Sequence, residues 1–401
     1  MATQPAERTV PAHVPADRVV DLNIHGLPGA DKDPQNSWRS FKQHGRLVWS
    51  PYNGGHWVVT EGEAVHRFYR DPKHFSSAVV GIPHAEGDVM LPIQADPPLH
   101  AKYRATVQAL LTPSRITALD PRIRELTVGL IEGFRARGEC EFLSEFALQL
   151  PLTIFLEMVG LPLDDRMLLR GHIEDFMFSL DPQDRMNAHL AVHHYLEAHV
   201  ENRRQHPRDD GLTHIVQGTI DGRPYSQQEI LSLLTLFLHA GLDTVAMALC
   251  FIIMHLSKNP QDRDYIRAHP DRVMPVIQEL LRRYTITQLA RRLTEDFDYD
   301  GVTMKQGDLV MLSPYYFNQD PVINPNPEVV DFDREGGRMM TFGAGPHTCA
   351  GALLARREIA VFLEEWLTRI PDFAIDPARP PKMSVAQQNN VLELWLKWPV
   401  G

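Results

Sequence analysis

The sequence predicts a mainly α-helical protein with smaller β-rich regions and one long central helix, and three observations carry that expectation. Helical periodicity dominates from about Pro98 to Tyr284. Inside it, residues 230–256 form an apolar run long enough to serve as a beam through a core. Strand patterns are confined to a short stretch near the N-terminus and to the chain after Tyr284. The 401 residues are 43% hydrophobic and 23% charged, the balance of a packed chain rather than a disordered or fibrous one. With no repeat, no Gly/Ser linker and no break in composition, one domain over 1–401 is the economical reading, with about 1–18 as a loosely ordered tail.

The elements follow in order. Met1 to Val19 holds Pro, Ala and charges but no basic segment followed by an apolar run, so neither a secretory signal nor a membrane anchor is expected and the chain reads as cytoplasmic. Leu47-Val48-Trp49 and His56-Trp57-Val58-Val59-Thr60 flank Asn53-Gly54-Gly55, which predicts a hairpin. Ser226 and Glu229 have the spacing of a capping box and open the long apolar helix, which Asn259-Pro260 ends. At about 1.5 Å per residue that helix spans on the order of 48 Å. His239, Gly241, Asp243 and Thr244 at its centre argue for a buried core helix rather than a membrane span. After Tyr284 come strand-like stretches, then an irregular Pro- and Asn-rich segment from Pro314 to Met340. Ile359, Phe362, Leu363, Trp366, Leu367 and Ile370 recur at helical spacing until Pro371 ends a last helix.

Composition excludes several functions. A net charge of -11 leaves no broad basic surface for a phosphate backbone, so nucleic acid is not a partner. Three cysteines, Cys140, Cys250 and Cys349, form no disulfide framework and supply neither an all-cysteine zinc site nor an ordinary iron-sulfur cluster. His189 and His193 are four apart, a zinc-capable spacing, but no third ligand accompanies them and the pair reads as solvated.

Chemistry concentrates at Cys349. The stretch Phe342-Gly-Ala-Gly345-Pro-His-Thr-Cys349-Ala-Gly351 sets a cysteine at a helix start, after a glycine-bearing loop. Exposed N–H groups and the positive helix end favour thiolate over thiol there, and the glycines let backbone approach a flat ligand. The other readings are a structural cysteine, or a nucleophile with His347 as its base. At the helix centre, Thr244 beside Gly241 and Asp243 is poor for helix propensity, and its hydroxyl can bond back to a carbonyl one turn earlier.

Phe342-x-x-Gly345-x-x-x-Cys349-x-Gly351 resembles the haem-binding signature of the cytochrome P-450 superfamily. Glu279-x-x-Arg282 and Ala240-Gly241-x-Asp243-Thr244 stand in the family's order. The resemblance spans essentially the whole chain. It is closest to the bacterial camphor hydroxylases, in Asn53-Gly-Gly-His-Trp57, His74-Phe-Ser-Ser77 and Leu354-Ala-Arg-Arg-Glu358. It implies haem b with Cys349 as the axial ligand of the iron, Phe342, Gly345 and Gly351 shaping the loop, and His100, Arg104, Arg291 and His347 as propionate donors. It also implies Asp243 and Thr244 as the proton path to bound dioxygen, and Glu279 with Arg282 as a structural pair. In the family a third partner, an Arg, often joins that pair; here the segment reads Pro327-Glu328-Val329, and Arg334 is the remaining candidate.

The implied activity is hydroxylation of a small cyclic apolar substrate by a monomer. Electrons come from a separate iron-sulfur ferredoxin and its NAD(P)H-dependent flavin reductase. The competing reading is a haem-thiolate sensor or carrier, against which a proton relay at Asp243 and Thr244 argues. Lys73, Lys102, Arg338, Arg356 and Arg357 gather, on the family layout, behind Cys349 as a basic face for an acidic donor. Pocket candidates are Leu236, His239, Ala240, Asp88, Met90, Thr287, Gln387 and Gln388. The segment near Asp88-Val-Met90 is about two residues shorter than in the camphor hydroxylases and lacks their ketone-binding tyrosine. A terpenoid or norisoprenoid, ketone-bearing forms included but not camphor, is therefore the expected substrate.

Overall fold

The Asn53-Gly54-Gly55 turn has positive φ at all three residues, and a Cβ on Gly55 would lie 2.5 Å from the Trp49 ring. This tight reversal pairs Leu47–Ser50 antiparallel with His56–Val59. The computed structural model describes residues 8–84, 89–178 and 181–400. The hairpin is the edge of a five-stranded sheet continued by Leu309–Leu312, Leu289–Leu293 and Phe75–Ser76. Residues 8–18 correct the expectation of a loose tail: Thr9 accepts from the Trp49 indole and donates to Pro51, His13 reaches Asp308, and Val14 is buried.

The helical body covers the middle of the chain, and its central element is the long helix expected. The capping box at Ser226 and Glu229 forms and opens it. The helix runs over Gln227–Lys258 with one irregularity at Asp243, where Gln227–Leu242 meets Thr244–Lys258 and φ opens to -119°. Two local effects produce the break. The Thr244 hydroxyl donates to the Ala240 carbonyl at 3.2 Å, in competition with the helical ladder. Gly241 packs so closely on Phe155 that a Cβ would sit 2.4 Å from the ring. The apolar stretch Gln227–Lys258 is long enough to cross a membrane, but most of it is buried inside the protein.

The final helix, Ala352–Arg369, buries Ile359, Phe362, Leu363, Trp366 and Leu367 against Pro113–Arg135 and the Thr244–Lys258 helix. Before it, Pro314–Asn318 is a short helix capped by Ser313 within the stretch expected to be irregular. The rest of that stretch is held by amide side chains that satisfy backbone groups which would otherwise be buried unpaired. Asn318 accepts from Met340 N–H and donates to Thr341, while Asn324 exchanges two hydrogen bonds with the Arg338 backbone.

The Glu279 and Arg282 pair on the Val273–Arg283 helix anchors the same segment. Arg282, 1% exposed, donates twice to Glu279 and also to the carbonyls of Asn318, Pro327 and Val329. Val329 thus contributes its backbone, and Arg334 is the third side-chain partner, its Nε 3.1 Å from both Glu279 oxygens. Five backbone carbonyls, those of Asn318, Pro325, Asn326, Pro327 and Val329, accept from the two guanidinium groups, so the buried net positive charge is well solvated by dipoles.

Candidate active site

The Cys349 loop is built by backbone. Cys349 N–H donates to Phe342 O, and Gly343 N–H to Met340 O, both at 2.8 Å. Gly345 has φ +70°, and a Cβ there would lie 2.8 Å from Tyr69 O, so glycine is required twice over. A Cβ on Gly351, at the N-cap of the last helix, would stand 4.0 Å from the Cys349 sulfur, in ordinary contact; this glycine is not sterically demanded. Phe342 lies under the Arg356 guanidinium, 4.5 Å from its ring centre.

Cys349 is reachable by solvent yet lies deep enough for burial to push its thiol up, against the Gly351 N–H, Arg104, Arg356 and the Ala352 N–H, which favour thiolate. A sulfur on the floor of a concavity reconciles the two facts. Four groups that favour the anion, held in a site that as yet costs it hydration, make a ligand for a cation, since a coordinated thiol loses its proton outright. Cys140 and Cys250 are buried, and burial holds both thiols in the neutral form.

Around this floor the chain gathers nitrogen donors. The His100 and His347 rings lie against each other, tilted by 49°, with centres 4.1 Å apart. Arg291, 1% exposed, lies over the Tyr69 ring at 4.9 Å. Arg104 donates to Thr348 O at 2.5 Å. His100 Nε2, His347 Nε2 and Arg291 Nη2 are all buried without a hydrogen-bond partner. Burial, then Arg291, His100 and Arg104, push His347 down to about 3. A buried guanidinium with an unsatisfied donor is costly unless an anion meets it. The set fits a group carrying paired carboxylates, as haem does with its propionates.

A second partly open stretch lies at the helix break. Ala240 is exposed and Leu236, Gly241, Asp243 and Thr244 are half-buried, although their neighbours along the same helices are packed. Ala350, next to Cys349, packs against the large apolar cluster that also contains Phe155, Phe237 and Leu238, so the break and the cysteine loop rest on one core. His239 donates through Nδ1 to Thr235 O at 2.7 Å; because a carbonyl only accepts, Nδ1 carries the hydrogen. Burial, with smaller effects of His189 and His193, pushes His239 down to about 4, so it is neutral. His189 is buried and lies tilted against His193, where a solvated pair was expected. Among the described residues no three ligands assemble for a metal ion.

The other pocket candidates divide. Asp88 lies outside the described residues. Met90 belongs to a turn pinned to the Gln227–Leu242 helix, since Ser232 donates to Val89 O and accepts from Leu91 N–H. Gln387 spends its amide on Val80 O and packs on Gly81. Gln388 is buried and bridges to Thr287, which stays half-exposed. Sequence reasoning missed Ser232, a lone hydroxyl in an apolar run, and Tyr69, whose ring supports both Arg291 and the cysteine loop. Of the expected basic face, Lys73, Lys102, Arg338 and Arg357 each pair with a local carboxylate, and Arg356 makes no ion pair among the described residues.

A cysteine presented by such a loop, with carboxylate-seeking donors beside it and an opened central helix in the same core, fits a haem-thiolate protein. The chain belongs to the cytochrome P450 family: that family's model matches residues 165–393. It is 32% identical to "Probable cytochrome P450 127A1" of Sinorhizobium fredii, with 97% of each chain covered. It is 29% identical to a vitamin D(3) 25-hydroxylase of Pseudonocardia autotrophica, over 80% of this chain and 82% of that one. The solved structures of CYP101C1 and CYP101J2 superpose with TM-scores of 0.89 and 0.90 at 37% and 34% identity; each is covered fully, with 98% of this chain. The protein is accordingly a haem b monooxygenase.

Proposed function

We propose that this monooxygenase hydroxylates a compact cyclic terpenoid or norisoprenoid other than camphor, ketone-bearing forms included, as a cytoplasmic monomer supplied with electrons by a separate ferredoxin and its flavin reductase. One observation supports the small substrate: Ser232 pins Val89 and Leu91 to the Gln227–Leu242 helix and Gln387 holds Val80, so the segments expected to line the pocket are tied down. The likeness to the camphor hydroxylases over the hairpin and the last helix supports the same reading.

Haem b, when bound, supplies the iron at which dioxygen is activated, and thiolate ligation favours O–O cleavage. Cys349 would ligate the iron through its thiolate, and His100, Arg104, Arg291 and His347 would hold the propionates. Thr244 keeps a hydroxyl proton at the helix break, and Asp243, half-buried beside it, renews that proton from solvent. Glu279, Arg282 and Arg334 act on none of these groups directly; they fix the segment that carries the cysteine loop. Arg356 is the cation at the cysteine loop for an acidic donor to approach.

A panel of cyclic terpenoids titrated into the holoprotein tests the substrate reading, with low-to-high spin conversion and NADH-dependent product as readouts. Conversion by compact bicyclic members and failure of camphor to give a full shift is the expected result. Tight camphor binding with a complete shift, or response only to long-chain compounds, refutes it.

A further inference from the structure

A groove of about 460 Å³ is lined by the short helices Arg39–Lys42 and Pro314–Asn318, by Gln319, and by Pro327 and Glu328. None of the residues expected to hold haem or substrate borders it. Three buried polar atoms gather here with no hydrogen bond among the described residues: Tyr315 Oη, Gln319 Oε1 and Arg283 Nη1. Tyr315 and Gln319 line the groove, are 1% and 6% exposed, and stand four apart, so they share a face. Arg283 adjoins them: Gln319 Nε2 donates to Arg283 O, and Arg283 Nε donates to Glu328 O at 3.0 Å.

The chemistry of the three atoms specifies a partner. Because a carbonyl only accepts, Nε2 is the amide end that Gln319 spends on Arg283, and Oε1 is left as an acceptor. Arg283 Nη1 can only donate. Burial holds the Tyr315 phenol above its ordinary pKa, against Arg39 and Arg283 and with a smaller push from Asp33, so its hydroxyl keeps a proton to donate. Arg39, Lys42 and Arg283 outnumber Glu328 and Asp33; Glu328 is paired with Arg39, and Asp33 caps Asn36. The balance favours an anion. An anion that carries a proton of its own meets all three atoms, its charged oxygens accepting from Arg283 and Tyr315 and its hydroxyl donating to Gln319. Phosphate has that make-up at neutral pH. Sulfate, similar in shape, has no proton to give.

We propose that this groove is a second ligand site, separate from the haem site, which binds a hydrogen phosphate group through Arg283, Tyr315 and Gln319. Calorimetric titration of the holoprotein with inorganic phosphate, phenyl phosphate and sulfate, at matched pH and ionic strength, tests it. The expected result is saturable one-site binding of phosphate, about 10-fold or more tighter than sulfate. Tyr315→Phe should weaken phosphate about 10- to 100-fold, the worth of a hydrogen bond to a charged group. Without phosphate the same variant should melt no lower than wild type, since the deleted hydroxyl has no protein partner to lose. Gln319→Leu should erase the preference for phosphate while sulfate binding persists. Tighter binding of phenyl phosphate than of inorganic phosphate marks a monoester as the occupant, and equal or weaker binding marks the free ion. No saturable binding at millimolar phosphate, equal affinity for phosphate and sulfate in wild type, or unchanged phosphate affinity in both variants overturns the site.

Discussion

Replacing Arg334 by methionine removes, among the described residues, the one side-chain partner of Glu279 that lies far from it in sequence. The variant keeps most of the aliphatic stem and deletes contacts of Nε to both Glu279 oxygens at 3.1 Å, of Nη2 to Val329 O at 2.8 Å and of Nη1 to Pro325 O. Breaking a buried ion pair by deleting one member typically costs about 3–5 kcal/mol. Glu279 retains Arg282 through two bonds of 2.8 Å and the Asp331 N–H, so the lower end applies, about 3 kcal/mol. At roughly 2.1 cal/mol/K of unfolding entropy per residue, a chain of 401 residues loses about 4 °C in Tm for that change. The lesion also loosens Pro325 and Asn326, which Arg334 holds, while Arg282 and Arg283 keep Pro327, Glu328 and Val329 on the Val273–Arg283 helix. Calorimetry of the holoprotein, together with the haem retained after dialysis and the thiolate signature of the ferrous carbonyl Soret band, measures both effects. Arg334→Lys restores the charge without the fork and should fall between. A Tm within 1 °C of wild type with full haem retention would falsify the assignment of Arg334 as the third partner.

Three further outcomes follow from particular contacts. Thr244→Ala should keep haem and substrate binding but divert electrons into hydrogen peroxide, read as NADH consumed per product formed; unaltered coupling removes Thr244 from the proton path. Gly241→Ala places a carbon 2.4 Å from the Phe155 ring and should cost about 1–3 kcal/mol, seen as a lower denaturation midpoint that Phe155→Leu partly relieves; an unshifted midpoint refutes the close packing at the helix break. His56 is fully buried, and burial pushes it down to about 3 from an ordinary 6.5. The unfolded chain then binds the extra proton between those values, so this stability is whole above about pH 6.5 and is lost as pH falls toward 3. At pH 5 the loss is about 2 kcal/mol, and urea titrations at pH 7 and 5 should show His56→Leu with a correspondingly flatter pH dependence; the same slope in both proteins is the contrary result.

Local signals were legible because they depend on a few consecutive residues. The Asn53-Gly54-Gly55 turn, the Ser226 capping box and the loop from Phe342 to Gly351 each encode their geometry in their own backbone needs. The break at Asp243 was half legible: Thr244 announced a bond to a carbonyl one turn earlier, but Phe155 pressing on Gly241 comes from another helix. The pocket was the least legible part. Whether His239 or Gln387 faces a substrate depends on Thr235 O and Val80 O, ordinary backbone atoms that no residue type marks.

The sequence by itself determined the chemistry of the floor, because a cysteine, two glycines and a helix start within ten residues suffice to present a thiolate. Tertiary structure alone decided how that floor is surrounded. His100 meets His347, and Arg334 completes a cluster begun 55 residues earlier at Glu279. Tyr315 and Gln319 each keep an oxygen unclaimed among the described residues. These outcomes turn on which buried donors and acceptors find partners when distant segments pack, and that competition is settled only in the folded chain.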